Sequence, residues 1–122
     1  MVSIGNHSKL DINRRLKDQV WTFYLGVLGC KSLPSPDPNL DLFEFDNGFV
    51  VGVFYRNEGD VLPEQDHFKA AWLEIKVAAP EEVKQRLLDI GVKQIDYEDK
   101  SRFYFQAHGG QVFRLAPMDG GI

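Results

Sequence analysis

The sequence predicts an α+β fold in which two consecutive βαβββ modules form one domain of 122 residues. In each half, a run of alternating apolar residues gives way to apolar residues at helical spacing. Later in each half, a glycine-containing turn separates two strand-like runs, which predicts a closing hairpin. A polar stretch separates the halves, so we expect module 1 at about residues 5–56, a linker at about 57–69 and module 2 at about 70–117.

Module 1 is predicted to begin with a half-buried strand and a helix. Ser8, Leu10 and Ile12 share one face of an extended run and alternate with polar residues. The period then becomes helical over about residues 14–28. The apolar stripe of this helix consists of Leu16, Val20, Phe23, Tyr24 and Val27. Gly29 follows the stripe and indicates the end of the helix.

The rest of module 1 is predicted to contain a β-hairpin. Residues 40–45 and 49–55 have the composition of strands, and Asp46-Asn47-Gly48 lies between them. The Asn-Gly pair favours a type I′ turn, in which both central residues have positive φ.

Module 2 is predicted to start as module 1 does. Leu73, Ile75 and Val77 alternate with polar residues, which indicates a strand. Pro80 suits the first turn of a helix, where its missing N–H costs nothing, and Gly91 suits the helix end.

Three further strands complete module 2, at about residues 93–97, 102–106 and 111–116. Gly109-Gly110 supplies the turn between the last two, because glycine adopts positive φ without steric cost. The tail, residues 118–122, is expected to fray.

Charge and cysteine content argue against several classes of partner and location. The formal net charge of -4 argues against a nucleic-acid or anionic-membrane surface. No window approaches the roughly 18 apolar residues of a membrane span, and the N-terminus lacks the basic start of a signal peptide. Cys30 is the only cysteine, so no internal disulfide can form, and a reducing, cytoplasmic setting is expected.

The start and the end of the chain resemble the vicinal-oxygen-chelate superfamily, which includes glyoxalase I, bleomycin-resistance proteins and extradiol dioxygenases. The matching residues at the start are His7, Leu10, Ile12, Phe23, Tyr24, Leu28 and Gly29. The stretch from Tyr104 to Leu115 resembles the closing hairpin of the same family. The resemblance extends from His7 to Pro117 and implies a glyoxalase/bleomycin-resistance-like fold, with a cleft between two curled mixed sheets and a homodimer.

The resemblance also implies four positions for a divalent metal. They correspond to His7, to Val51-Gly52, to Trp72 and to Arg114, and only His7 is a metal ligand. At about 4 Å and an effective dielectric of about 20, one pair of unit charges interacts by about 4 kcal/mol, so Arg114 would strongly repel a dication. We therefore expect a degenerate metal site and no cofactor.

A different strand register is the alternative that keeps a metal. A slip of one residue turns the opposite set of side chains towards the site. Such a slip would bring Glu74, Asp11 or Glu44 within reach of a metal.

Strand alternation predicts a binding pocket instead. Trp72 and Phe54 would form its apolar walls, and Arg114 would hold an anionic or carbonyl group. Glu74 is the expected partner of Arg114, and His7 completes the predicted ligand-binding residues. The negative net charge favours a cationic ligand, so the sequence leaves the charge of the ligand open.

Three hypotheses of function follow. The leading one is a metal-free small-molecule-binding protein that resembles the bleomycin-resistance proteins. The second is a metal-dependent lyase, isomerase or dioxygenase of the same superfamily. The third is a structural domain whose cleft is filled by Trp72 and by an ion pair between Glu74 and Arg114.

The remaining histidines and the cysteine are not expected to take part in the site. His67 lies in the linker and His108 in the last turn, so both are expected to be solvated. Cys30 has no histidine motif nearby, which argues against a catalytic thiol.

Overall fold

The computed structural model describes residues 1–121 and divides the chain into two compact units. The first comprises residues 1–61, and the second starts at Leu62. Each unit contains one four-stranded mixed sheet and helical segments. The predicted α+β class with two βαβββ modules is therefore confirmed.

The first unit follows the predicted order of elements. Its strands are β1 (His7–Asn13), β2 (Lys31–Leu33), β3 (Leu40–Glu44) and β4 (Val50–Arg56). They lie in the order β1-β4-β3-β2, with β1 parallel to β4 and the other pairs antiparallel. The strand at Lys31–Leu33 was not predicted, because three residues are too few to show alternation.

The helix of the first unit changes its winding along its length. A 3-10 turn (Arg14–Leu16) leads into α1 (Lys17–Trp21), and a π-helical segment (Thr22–Val27) follows. The Leu28 N–H donates to the Phe23 carbonyl, five residues earlier, at 3.0 Å. Phe23 and Tyr24 are buried, and Tyr24 stacks on Phe43 of β3 with 4.8 Å between ring centroids. The predicted helical stripe therefore forms the core on one face of this sheet.

The hairpin between β3 and β4 corrects the predicted turn type. Gly48 has a φ of 87°, but Asn47 does not have positive φ, so the turn is not type I′. The Gly48 N–H donates to the Phe45 carbonyl, and the Phe45 N–H donates to the Phe49 carbonyl. These bonds are typical of a three-residue loop in which a type I turn is followed by one left-handed glycine.

The second unit repeats this topology. Its elements are a 3-10 segment (Glu64–Lys69), β5 (Trp72–Val77), α2 (Pro80–Asp89), β6 (Lys93–Ile95), β7 (Phe103–Gln106) and β8 (Val112–Pro117). The strands lie in the order β5-β8-β7-β6, with β5 parallel to β8. Leu87 of α2 is fully buried, as are Phe105 and Phe113. One face of the sheet is thus covered by α2.

The stretch predicted as a polar linker is partly structured. A 3-10 turn (Glu58–Asp60) ends the first unit, and the Glu64–Lys69 segment packs within the second. In the tail, the Lys76 ammonium donates to the Gly120 carbonyl at 2.7 Å, so fraying at that residue is restrained. Ile122, also part of the expected frayed tail, lies outside the described residues. Within residues 1–121, no helix is both long enough and apolar enough to cross a membrane.

Candidate functional site

The face of the second sheet opposite α2 carries several of the predicted binding residues. In the register of this sheet, Glu74 of β5 and Tyr104 of β7 both lie beside Arg114 of β8. Trp72 lies two residues before Glu74 and therefore points to the same face. The strand alternation inferred from the sequence is the one observed, without a slip of one residue.

Arg114 is held by an ion pair and by an aromatic ring. Its Nε donates to Oε2 of Glu74 at 2.8 Å, and its Nη2 contacts the same oxygen. Its guanidinium lies over the ring of Trp72, 4.6 Å from the centroid. A second carboxylate, that of Asp99, lies 4.0 Å from Nη1. Hydrogen bonds with Tyr104 and Glu74 raise the pKa of Arg114 above its usual value, so this side chain is always cationic.

Two tyrosines extend the aromatic surface around this pair. The rings of Tyr97 and Tyr104 are stacked with 4.2 Å between centroids, and Trp72 meets Tyr104 edge to face. The Trp72 indole N–H donates to the Tyr97 hydroxyl at 3.3 Å, and the Tyr104 hydroxyl donates to Asp99 at 3.3 Å. We call these residues the arginine–aromatic cluster: Trp72, Glu74, Tyr97, Asp99, Tyr104 and Arg114.

Sequence reasoning found only half of this cluster. Tyr104 lies between Phe103 and Phe105, which are both buried, so alternation along β7 could have placed Tyr104 on the opposite face. The strand predicted at residues 93–97 ends at Ile95, so Tyr97 and Asp99 both lie in the loop between β6 and β7. Only the folded chain brings them to Arg114.

The first sheet has a comparable charged face, which includes His7 and Phe54. The Arg56 guanidinium lies over the Phe54 ring at 4.5 Å, and its Nε donates to Asp11 at 3.2 Å. Lys9 also donates to Asp11, at 3.0 Å. Burial raises the pKa of Asp11, but the hydrogen bonds from Lys9 and Arg56 outweigh it and lower the pKa overall.

The residues at the four metal positions do not form a set of metal ligands. Val51 is buried, and Gly52 lies on the His7 side of the first sheet. His7 Nε2 lies 3.3 Å from where a Cβ at Gly52 would be, and glycine itself has no side chain that could bind a metal. Trp72 and Arg114 have no metal-binding atom. In residues 1–121, no three His, Cys, Asp or Glu side chains are grouped so that they could hold a metal ion.

The histidines expected to be solvated are half-buried instead. His67 packs against Gly110 of the last turn, and its Nε2 is buried without a hydrogen-bond partner among the described residues. Burial lowers the pKa of His67. The Nδ1 of His108 is likewise buried and unpaired in residues 1–121. Contacts across the fold, which sequence position does not reveal, account for both corrections.

Cys30 is a free cysteine, and its side chain is buried. Burial raises the pKa of the Cys30 thiol to about 12, and the nearby Asp46 carboxylate adds to this shift. A thiol with this pKa is almost entirely protonated at neutral pH and is a poor nucleophile.

Solved structures share this fold although their sequences have diverged. A glyoxalase family protein from Bacillus anthracis is 19% identical over 96% of both chains, with a TM-score of 0.70. The fosfomycin resistance protein FosX from Listeria monocytogenes is 15% identical over 100% of this chain and 94% of its own, with a TM-score of 0.75. The trypanothione-dependent glyoxalase I of Leishmania major is 18% identical over 95% of this chain and 87% of its own, with a TM-score of 0.69.

These solved structures show that the chain has the fold of glyoxalase family and FosX proteins, which is the fold that the resemblance implied. One structure of a FosX variant contains Mn(II) and dihydroxypropylphosphonic acid. No protein-family model matches this chain, and no curated protein matches its sequence at a significant level.

Proposed function

We propose that this protein binds a small molecule without a metal and that the arginine–aromatic cluster forms part of the binding surface. The observation that carries the proposal is the combination of aromatic rings with a fixed guanidinium on the sheet face opposite α2. Flat apolar walls with a few oriented polar groups are typical of small-molecule sites. On the charged face of the first sheet, His7 and Phe54 are proposed as binding residues in their own unit, and the resemblance supports a homodimer.

The charges around Arg114 favour a neutral carbonyl ligand over an anionic one. Glu74 and Asp99 place two carboxylates beside one guanidinium. An anion would therefore meet a locally negative surface, whereas a carbonyl oxygen can accept from N–H groups that Glu74 does not use. The Trp72 and Tyr97 rings can pack against a planar group next to that carbonyl.

Replacing Arg114 with alanine is expected to abolish binding of a planar carbonyl ligand. The chain has two tryptophans, so Trp21→Phe isolates the fluorescence of Trp72. In that background, benzamide should quench Trp72 more strongly than benzoate, which has the same ring but carries a negative charge. Arg15→Ala is the control, because it removes the same charge from an exposed residue of the 3-10 turn (Arg14–Leu16), outside all of the proposed binding residues. Unchanged benzamide affinity in Arg114→Ala would refute the role of Arg114.

The Mn(II) complex of FosX supports a metal-dependent enzyme as the second candidate. Our proposal expects no stoichiometric metal, because only His7 of the four family positions can bind one. The measurement is the metal content of untagged protein that was purified without chelator and then exposed to nickel, zinc, manganese and iron. About one tightly bound divalent ion per chain would overturn the metal-free proposal and favour the enzyme.

The third candidate, a structural role for the cluster, is favoured by the low exposure of the Arg114 side chain, 11%. It predicts that neither benzamide nor benzoate affects the emission of Trp72. In that case the Glu74–Arg114 pair would act only on stability.

A further inference from the structure

A cavity of about 320 Å³ lies within the second unit, on the side of the sheet that α2 covers. The first turns of α2 and strands β6, β7 and β8 contribute to its lining. Phe103 and Leu115 form its apolar floor, and both are almost fully buried. Tyr104 and Arg114, their neighbours along β7 and β8, point to the opposite face. The cavity is therefore separate from the arginine–aromatic cluster.

Cationic side chains dominate the lining of this cavity, although the chain as a whole is negative. Lys84, Lys100 and Arg102 surround it, and Glu81 is its one lining carboxylate. Lys100 forms a solvent-exposed ion pair with Asp96. In residues 1–121, neither Lys84 nor Arg102 has a carboxylate within 4.0 Å. Two positive charges therefore border the cavity without an ion-pair partner in the described part of the chain.

The positions of these charges suit a ligand with two different ends. The Lys84 ammonium lies 5.2 Å from the centroid of the Phe103 ring, so one charge is fixed directly above the apolar floor. Arg102 donates to the Ser101 carbonyl through one nitrogen and retains further N–H groups for a ligand. The volume lies at the lower end of the range of about 300–1,000 Å³ that is usual for small-molecule sites.

We propose that this cavity binds a small organic phosphate, with an apolar ring on Phe103 and the phosphate between Lys84 and Arg102. A phosphate monoester carries a charge of about −1.5 to −2 at neutral pH, which matches two unpaired cations better than a carboxylate does. The guanidinium can bind two phosphate oxygens at once, and the ammonium adds a point charge. This proposal does not depend on the function proposed for the opposite face.

The test is titration calorimetry of the full chain with phenyl phosphate, compared with inorganic phosphate, phenol and benzoate. We expect phenyl phosphate to bind most tightly, with a dissociation constant below about 1 mM. Arg102→Gln and Lys84→Gln should each weaken binding by about tenfold or more, because each removes a charge-assisted hydrogen bond. Lys93→Gln is the matched control, because it makes the same change in charge. Lys93 is next to Gln94, which lines the cavity, but its own side chain lies on the opposite face and pairs with Glu64.

Two further readouts make the test decisive. Circular dichroism and urea unfolding should show that each variant is folded, since all three positions are polar and not fully buried. If Lys93→Gln lost as much affinity as Arg102→Gln and Lys84→Gln, the losses would result from net charge alone, and the proposed site would be overturned. If inorganic phosphate bound as tightly as phenyl phosphate, Phe103 would have no role in binding the ligand. If phenyl phosphate did not bind, the whole proposal would be refuted.

Discussion

Replacing Gly110 with alanine is expected to lower the free energy of unfolding by about 3 kcal/mol. Gly110 has a φ of 112°, which an L-residue adopts only with strain. A Cβ at this position would lie 2.3 Å from Cδ2 of His67 and 2.7 Å from its Nε2. The imidazole must therefore move, and the packing of the Glu64–Lys69 segment against the last turn should be lost.

Two controls separate the backbone strain from the collision. Gly48→Ala introduces a Cβ at a φ of 87°, and no other atom lies within 4 Å of it. Backbone strain alone should therefore lower the free energy of unfolding, by about 1–2 kcal/mol. His67→Ala in the Gly110→Ala background removes the ring and should recover part of the lost stability. Urea unfolding measures all of these variants. If Gly110→Ala costs no more than Gly48→Ala, His67 does not pack against this turn.

Replacing Arg114 with methionine is expected to cost about 2–3 kcal/mol of stability. The change leaves the Glu74 carboxylate, whose side chain is 23% exposed, without its cation. It also removes the cation–π contact with Trp72. Water still reaches part of the pair, so the loss should stay below the value for a fully buried ion pair.

The Glu74–Arg114 pair is tested by a double-mutant cycle. Glu74→Met together with Arg114→Met should cost less than Arg114→Met alone, because no carboxylate is then left unpaired. The matched control is Arg56→Met, since Arg56 also stacks on an aromatic ring and pairs with Asp11, but 42% of its side chain is exposed. Its loss should cost less than about 1 kcal/mol. Equal costs at positions 56 and 114 would show that burial adds nothing to the second pair.

The sequence was sufficient to predict the strand register, and therefore the Glu74–Arg114 pair. Alternation along residues 72–77 and 112–117 is a local property, and it determines which side chains share a face. The resemblance at both ends of the chain led to the correct fold although identity to the solved structures is below 20%. The ligand-binding roles of these residues remain predictions.

What the sequence could not show depends on contacts between distant segments. Asp99 and Tyr97 reach Arg114 and Tyr104 only through the loop that connects β6 to β7. The turn type at Asn47-Gly48 depends on the backbone angle of one residue, because the same residue pair also fits a three-residue loop. His67 is half-buried through a contact with a turn more than forty residues later.

The edge strands of the two sheets have a consequence for aggregation. Within the sheets, β2 and β6 form one edge each, are only three residues long and begin with a lysine. Such short, charged strands are poor templates for another chain. The opposite edges, β1 and β5, are longer, and their protection comes from charged side chains such as Lys9, Asp11 and Lys76. Variants that make these strands more apolar to tighten a ligand site would therefore also promote edge-to-edge association and loss of soluble protein.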